Sequence, residues 1–92
     1  MSYKLSFTQT ALQDIEKHKK SGDKPILLKI NKLLNEIRHH PKTGTGKPEI
    51  LKHAFQGLYS RRINKKHRII YSVQDEIVTV LVLSAYAHYD DK

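Results

Sequence analysis

The chain has 92 residues, 38% of them hydrophobic, and 17 Lys and Arg against 9 Asp and Glu give it a formal net charge of +8. That balance fits one small globular domain over residues 1–92 rather than a disordered polycationic tail, and the absence of cysteine excludes disulfides, thiolate metal sites and cysteine nucleophiles. No apolar run is long enough to cross a bilayer and no signal-like stretch opens the chain, so no membrane partner and a cytoplasmic location are expected.

Tyr3, Leu5 and Phe7 alternate with polar residues and predict a short opening strand. Thr8 or Thr10 can cap a first helix reaching about Lys20, with Leu12 and Ile15 turned inward and Gly22 ending it. Asp23, Lys24 and Pro25 form a second helix start, because proline in the first turn has no amide to leave unpaired. Leu27, Ile30, Leu34 and Ile37 then recur at helical spacing until Pro41. Residues 42–48 hold Gly44, Gly46 and Pro48 and read as a loop, without the Gly-Lys-Ser/Thr ending of a phosphate-cradling Walker motif. Three runs of strand character follow, at 58–63, 67–74 and 77–83, separated by polar turns at 64–66 and 75–76. The expected fold is α+β, in the order β-α-α-β-β-β, with two helices packed on an antiparallel sheet.

The positive charge is uneven. Lys52, Arg61, Arg62, Lys65, Lys66 and Arg68 crowd into positions 49–68 with a single acid, Glu49, whereas the last 24 residues are net acidic and end in the short tail Asp90-Asp91-Lys92. Arg61, Arg62 and Arg68 are three of the four arginines, the side chain suited to forked contacts with phosphate, so a polyanion is the first partner to consider. A three-residue turn that pairs Ile63 with His67 sets Arg62 opposite Arg68 on one sheet face, and like charges so opposed are best tolerated with an anion between them. The other face would carry Tyr59, Ile63, Ile69, Tyr71 and Val73 as core. Spacing alone serves equally well a pair of arginines splayed into water or paired with the acidic tail.

The six histidines form no zinc pattern, no HExxH or GxSxG motif is present, and neither metal nor cofactor is expected. His18, His39 and His40 sit on or at the ends of lysine-rich helices and read as solvated. RNA, however, carries its own nucleophile in the ribose 2′-hydroxyl. Cleaving it needs a base, cations around the crowded phosphoryl group, and an acid for the leaving 5′-oxygen. Glu49 is the one acid in the basic segment, where neighbouring cations favour its ionised form, and His88 follows the last strand. On composition alone, Glu49 as a surface ion-pair partner is the simpler assignment.

Gly46-Lys47-Pro48-Glu49, Leu51-Lys52-His53, Gly57, Ser60-Arg61-Arg62-Ile63, His67-Arg68, Tyr71 and His88-Tyr89 together resemble the Txe/YoeB toxins of the wider RelE/ParE group of bacterial toxin-antitoxin systems, in order and nearly without gaps from Leu5 to Tyr89. The resemblance implies a ribosome-dependent mRNA endonuclease, an mRNA interferase that inhibits translation and leaves 2′,3′-cyclic phosphate and 5′-hydroxyl ends. It implies a cognate antitoxin of the YefM/Phd kind, contact with ribosomal RNA, and is compatible with a homodimer. By position, Glu49 matches the family's general base, His88 its general acid, Arg68 the residue that stabilises the phosphoryl transition state, and Arg62 a phosphate contact. Lys47, Lys52 and Tyr89 match substrate- or ribosome-contacting positions, and Arg61 is grouped with the phosphate-binding arginines. Two features depart from the family: the Asp90-Asp91-Lys92 extension, and the absence of tryptophan. A ParE-like DNA gyrase inhibitor and a non-catalytic basic nucleic-acid-binding module are the alternatives.

Overall fold

The computed structural model describes residues 2–44, 49–50 and 58–86, with Glu49 as backbone alone. Strand β1 (Lys4–Phe7) leads into helix α1 (Gln9–Ser21), helix α2 (Lys24–His39) follows, and four strands complete the sheet: β2 (Glu49–Ile50), β3 (Tyr59–Arg62), β4 (Arg68–Gln74) and β5 (Thr79–Ser84). A single 3-10 turn, Asp75–Ile77, joins β4 to β5.

Local chemistry sets the helix boundaries. The Thr8 hydroxyl accepts from Ala11 N at 3.0 Å and starts α1, and Gly22, at φ 74° in the left-handed region, ends it. Asp23 accepts from Ile26 N at 3.2 Å and caps α2, with Pro25 in the first turn. The β3–β4 turn is built on Asn64, whose Oδ1 accepts from Lys66 N at 2.8 Å and His67 N at 2.7 Å, while Ile63 N donates to His67 O at 2.9 Å. The expected pairing of Ile63 with His67 is therefore present.

The sheet order is β1-β5-β4-β3-β2. Strands β2 to β5 are antiparallel, as expected, but β1 lies parallel to β5, with Leu5 beside Val80 and Phe7 beside Val82, so the sheet is mixed. Residues 49–50, just after the predicted loop, add an edge strand where the sequence predicts none. One face of the sheet packs on both helices. Ile63, Ile69, Tyr71, Val80 and Val82 meet Ala11 of α1 and Ile30, Leu33 and Ile37 of α2, with Tyr59 and Val73 at the margin. Leu12, expected inside, is 55% exposed; α1 instead buries Ala11, Asp14 and His18. Among the described residues no helix is long and apolar enough to cross a membrane.

Candidate functional site

Arg62 and Arg68 are direct cross-strand partners in the β3–β4 ladder, in the register the sequence predicts. Arg62 is exposed, whereas Arg68 is half-buried and donates through Nη1 to the buried Ser60 Oγ at 3.0 Å, which fixes one edge of its guanidinium. On the neighbouring strand the register sets Glu49 across from Ser60 and Ile50 across from Tyr59. Pairing of Ile70 with Ser84 brings the end of β5 alongside the start of β4, with a register shift between Ile70 and Tyr71. The start of β2, the end of β3, the start of β4 and the end of β5 thus share one end of the sheet. Lys47, Lys52, His88 and Tyr89 lie outside the described residues.

Arg61 departs from its expected place among the phosphate contacts. It is fully buried, because the alternation that turns Arg62 outward turns Arg61 toward the helices. Its Nε donates to Tyr71 Oη at 3.0 Å, Nη1 pairs with Glu36 Oε1 at 3.5 Å, and Nη2 donates to Thr43 O at 2.5 Å and to His40 O. Tyr71 Oη in turn donates to Pro41 O at 2.6 Å. Burial raises the Tyr71 phenol above its ordinary pKa, partly offset by the Arg61 hydrogen bond. Arg61 therefore ties the segment after α2 onto the sheet, and its donors are satisfied inside the protein rather than offered to a ligand. Gly44 is part of this arrangement: at φ 118°, a Cβ there would stand 2.9 Å from Glu36 Oε1 and 3.0 Å from Arg61 Nη1.

A second polar cluster was not legible as such in the sequence. His18, expected to be solvated, is 2% exposed, and its Nε2 lies 2.8 Å from Ala85 O. Asp14, one turn earlier and also buried, accepts from Ala85 N at 3.0 Å. The His18 ring meets His67 edge-on at 4.6 Å and Tyr86 at 5.0 Å, and Lys17 Nζ lies 4.8 Å from the Tyr86 ring centroid. The signal was the spacing of Ala11, Asp14 and His18, which marks one helix face; the polar identity of two of the three concealed it.

Comparison with known proteins gives a consistent set of likenesses. The profile of the YoeB-like toxin of bacterial type II toxin-antitoxin systems matches residues 7–89. "Toxin YoeB" of Escherichia coli strain K12 is 45% identical over 67 residues, covering 73% of this chain and 77% of the relative. The "YoeB/ParE toxin from Agrobacterium tumefaciens" superposes with a TM-score of 0.87 at 35% identity, covering 94% of this chain and 99% of the other. YoeB of Staphylococcus aureus, solved as a dimer, gives a TM-score of 0.80 at 38% identity over 97% of this chain and 100% of its own. YoeB in a heterotetrameric YoeB-YefM toxin-antitoxin complex from Staphylococcus aureus gives 0.79 at 38% identity with the same coverage.

Proposed function

This chain belongs to the YoeB-like toxins of bacterial type II toxin-antitoxin systems, and from that premise we propose that it is a ribosome-dependent mRNA endonuclease held inactive by a YefM-like antitoxin. The observation that carries the reading is the cross-strand pair of Arg62 and Arg68, two cations opposed at the end of the sheet where β2 begins at Glu49 and where β5 ends. An RNA phosphate between the two guanidinium groups relieves their repulsion and receives forked hydrogen bonds from both.

In the proposed reaction Glu49 takes the proton from a ribose 2′-hydroxyl, and the oxygen attacks the adjacent phosphorus. Arg68, with its guanidinium steadied on Ser60, stabilises the charge that accumulates on the non-bridging oxygens as the fifth bond forms. Arg62 holds the phosphate. His88 donates a proton to the departing 5′-oxygen, leaving a 2′,3′-cyclic phosphate and a 5′-hydroxyl. The substrate supplies the nucleophile and the side chains supply both proton carriers, so the scheme calls for no added cofactor. Lys47, Lys52 and Tyr89 contact RNA at or beside the cut, and the lysine-rich helices face ribosomal RNA. Such an enzyme works in the cytoplasm, and the dimer of the S. aureus relative makes a homodimer the expected free form.

Cleavage in a translating extract tests the assignment. Glu49→Gln and His88→Ala each lower cleavage roughly a hundredfold or more if the two groups supply general base and acid catalysis. Undiminished cutting by both variants refutes these roles.

A further inference from the structure

We propose that Ser60 is a positioning residue that holds the Arg68 guanidinium in place before RNA arrives, and that this contact divides the work of the opposed arginines, Arg68 serving the transition state and Arg62 the capture of phosphate. The proposal rests on the role given to Arg68 above. In the β3–β4 ladder Ser60 pairs with Ile70 and Arg62 with Arg68, while Ile63, Ile69 and Tyr71 pack under the helices. Ser60, Arg62, Arg68 and Ile70 therefore share the opposite face, where Ser60 and Arg68 are diagonal neighbours within reach of a long side chain. Arg68 Nη1 spans that diagonal and donates to Ser60 Oγ at 3.0 Å.

Packing alone does not call for a hydroxyl at this position. Ser60 is fully buried and its cross-strand partner Ile70 is 2% exposed, so alanine would fill nearly the same space without the cost of desolvating an oxygen. The hydroxyl instead accepts from a cation in a place closed to water, where a charge-assisted hydrogen bond meets little competition. Ordering an arginine side chain costs rotamer entropy. The Ser60 contact places part of that cost at folding rather than at the moment of reaction, which is what makes a charge-stabilising donor effective. Arg62, on the same face and two residues along the strand, is exposed. An exposed cation binds the phosphate of substrate and of transition state alike, and such uniform binding acts on KM rather than on kcat. Ser60 is also in register with Glu49 of β2, so one residue of β3 links the strand of the proposed base to the proposed stabilising cation.

The test pairs NMR measurement of guanidinium rotation at Arg68 with kcat and KM for ribosome-dependent cleavage. Ser60→Ala speeds the rotation at least tenfold and lowers kcat at least tenfold, with KM within twofold of wild type. Ser60→Thr, which keeps the accepting oxygen, recovers most of both; if the added methyl prevents folding, the Ser60→Ala result alone decides. Arg62→Ala shows the reverse pattern, with KM raised at least tenfold and kcat within threefold. Unchanged rotation in Ser60→Ala, a loss there confined to KM, or a loss in Arg62→Ala confined to kcat overturns the proposal. Arg68→Ala in the same assay separates it from the reading beneath it. If Arg68→Ala is inactive while Ser60→Ala cuts normally, the positioning role alone fails; if Arg68→Ala cuts as wild type does, the role of Arg68 fails and that of Ser60 with it.

Discussion

Arg61 and Arg62 are neighbours in β3 with opposite environments. The strand's alternation sends Arg62 to the surface facing Arg68 and sends Arg61 under the helices, where it binds Tyr71, Glu36 and the carbonyls of His40 and Thr43. Removing one member of a buried, hydrogen-bonded ion pair leaves the rest unsatisfied, so Arg61→Met is expected to lower stability by on the order of 3 kcal/mol in chemical denaturation. Arg62→Ala, at an exposed position, is expected to change stability by no more than about 0.5 kcal/mol. Equal stabilities for the two variants would mean that the Arg61 network does not hold the segment after α2. The distinction was within reach of the sequence, because the register that turned Arg62 outward also implied that Arg61 faces in. Charge density spoke for both arginines alike and obscured the difference.

At the scale of elements, the caps were the most legible features because their chemistry is local. Thr8 does double duty: it caps α1 through Ala11 N, its hydroxyl donates to Leu83 O at 2.8 Å, and its own N–H donates to Val82 O at 3.0 Å. Thr8→Ala should therefore cost about 1–2 kcal/mol, more than Asp23→Ala, which loses only the capping bond. Thermal unfolding of the two variants compares them directly, and an equal loss would contradict the extra tie to β5. Helix ends and the β3–β4 hairpin followed from Thr8, Gly22, Asp23, Pro25 and Asn64. The parallel pairing of β1 with β5 did not, because it joins residues some 75 positions apart and no local residue chemistry marks it. Nor did the two-residue β2, which is too short to carry a periodic signal. On α1, Leu12 fits the apolar pattern of a core position yet is exposed, and the inward face carries Asp14 and His18 beside Ala11. Of the candidate site, the Arg62–Arg68 register was read correctly, while the Asp14–His18 grip on Ala85 was invisible because it depends on the path of the chain after β5.

Across the whole molecule, the +8 charge includes six lysines on the two helices, Lys17, Lys19 and Lys20 on α1 and Lys24, Lys29 and Lys32 on α2. A separate polar tie joins three distant parts of the chain: Tyr3 Oη donates to Asp75 Oδ1 at 2.5 Å, and Lys42 Nζ pairs with Asp75 Oδ2 at 3.2 Å. The hydrogen bonds from Tyr3 and Lys42 hold the Asp75 carboxyl below its usual range, and the bond to Asp75 raises both the Tyr3 phenol and the Lys42 amine. For the carboxylate, the folded state binds its proton less readily than the unfolded chain, so its contribution is present above the unfolded pKa and fades as pH falls toward the folded one. For the phenol and amine the sign reverses, and the contribution fades as pH rises through their raised values. Asp75→Asn should flatten both the acid and the alkaline shoulders of a Tm-against-pH curve, by a small amount because the site is exposed. Unchanged shoulders would show that the tie contributes nothing in solution.

Among the described residues, this end of the sheet sets an exposed Arg62 opposite a half-buried Arg68. The central proposal is that this pair serves an enzyme whose substrate is positioned by the ribosome. The most direct measurement of this claim is to map the 5′ ends of mRNA incubated with the protein in the presence and absence of ribosomes. New ends bearing 5′-hydroxyl groups should arise when ribosomes are present and should disappear with Glu49→Gln and with His88→Ala. Salt-sensitive binding without new ends, or cutting that is equally strong in both variants and without ribosomes, would contradict it.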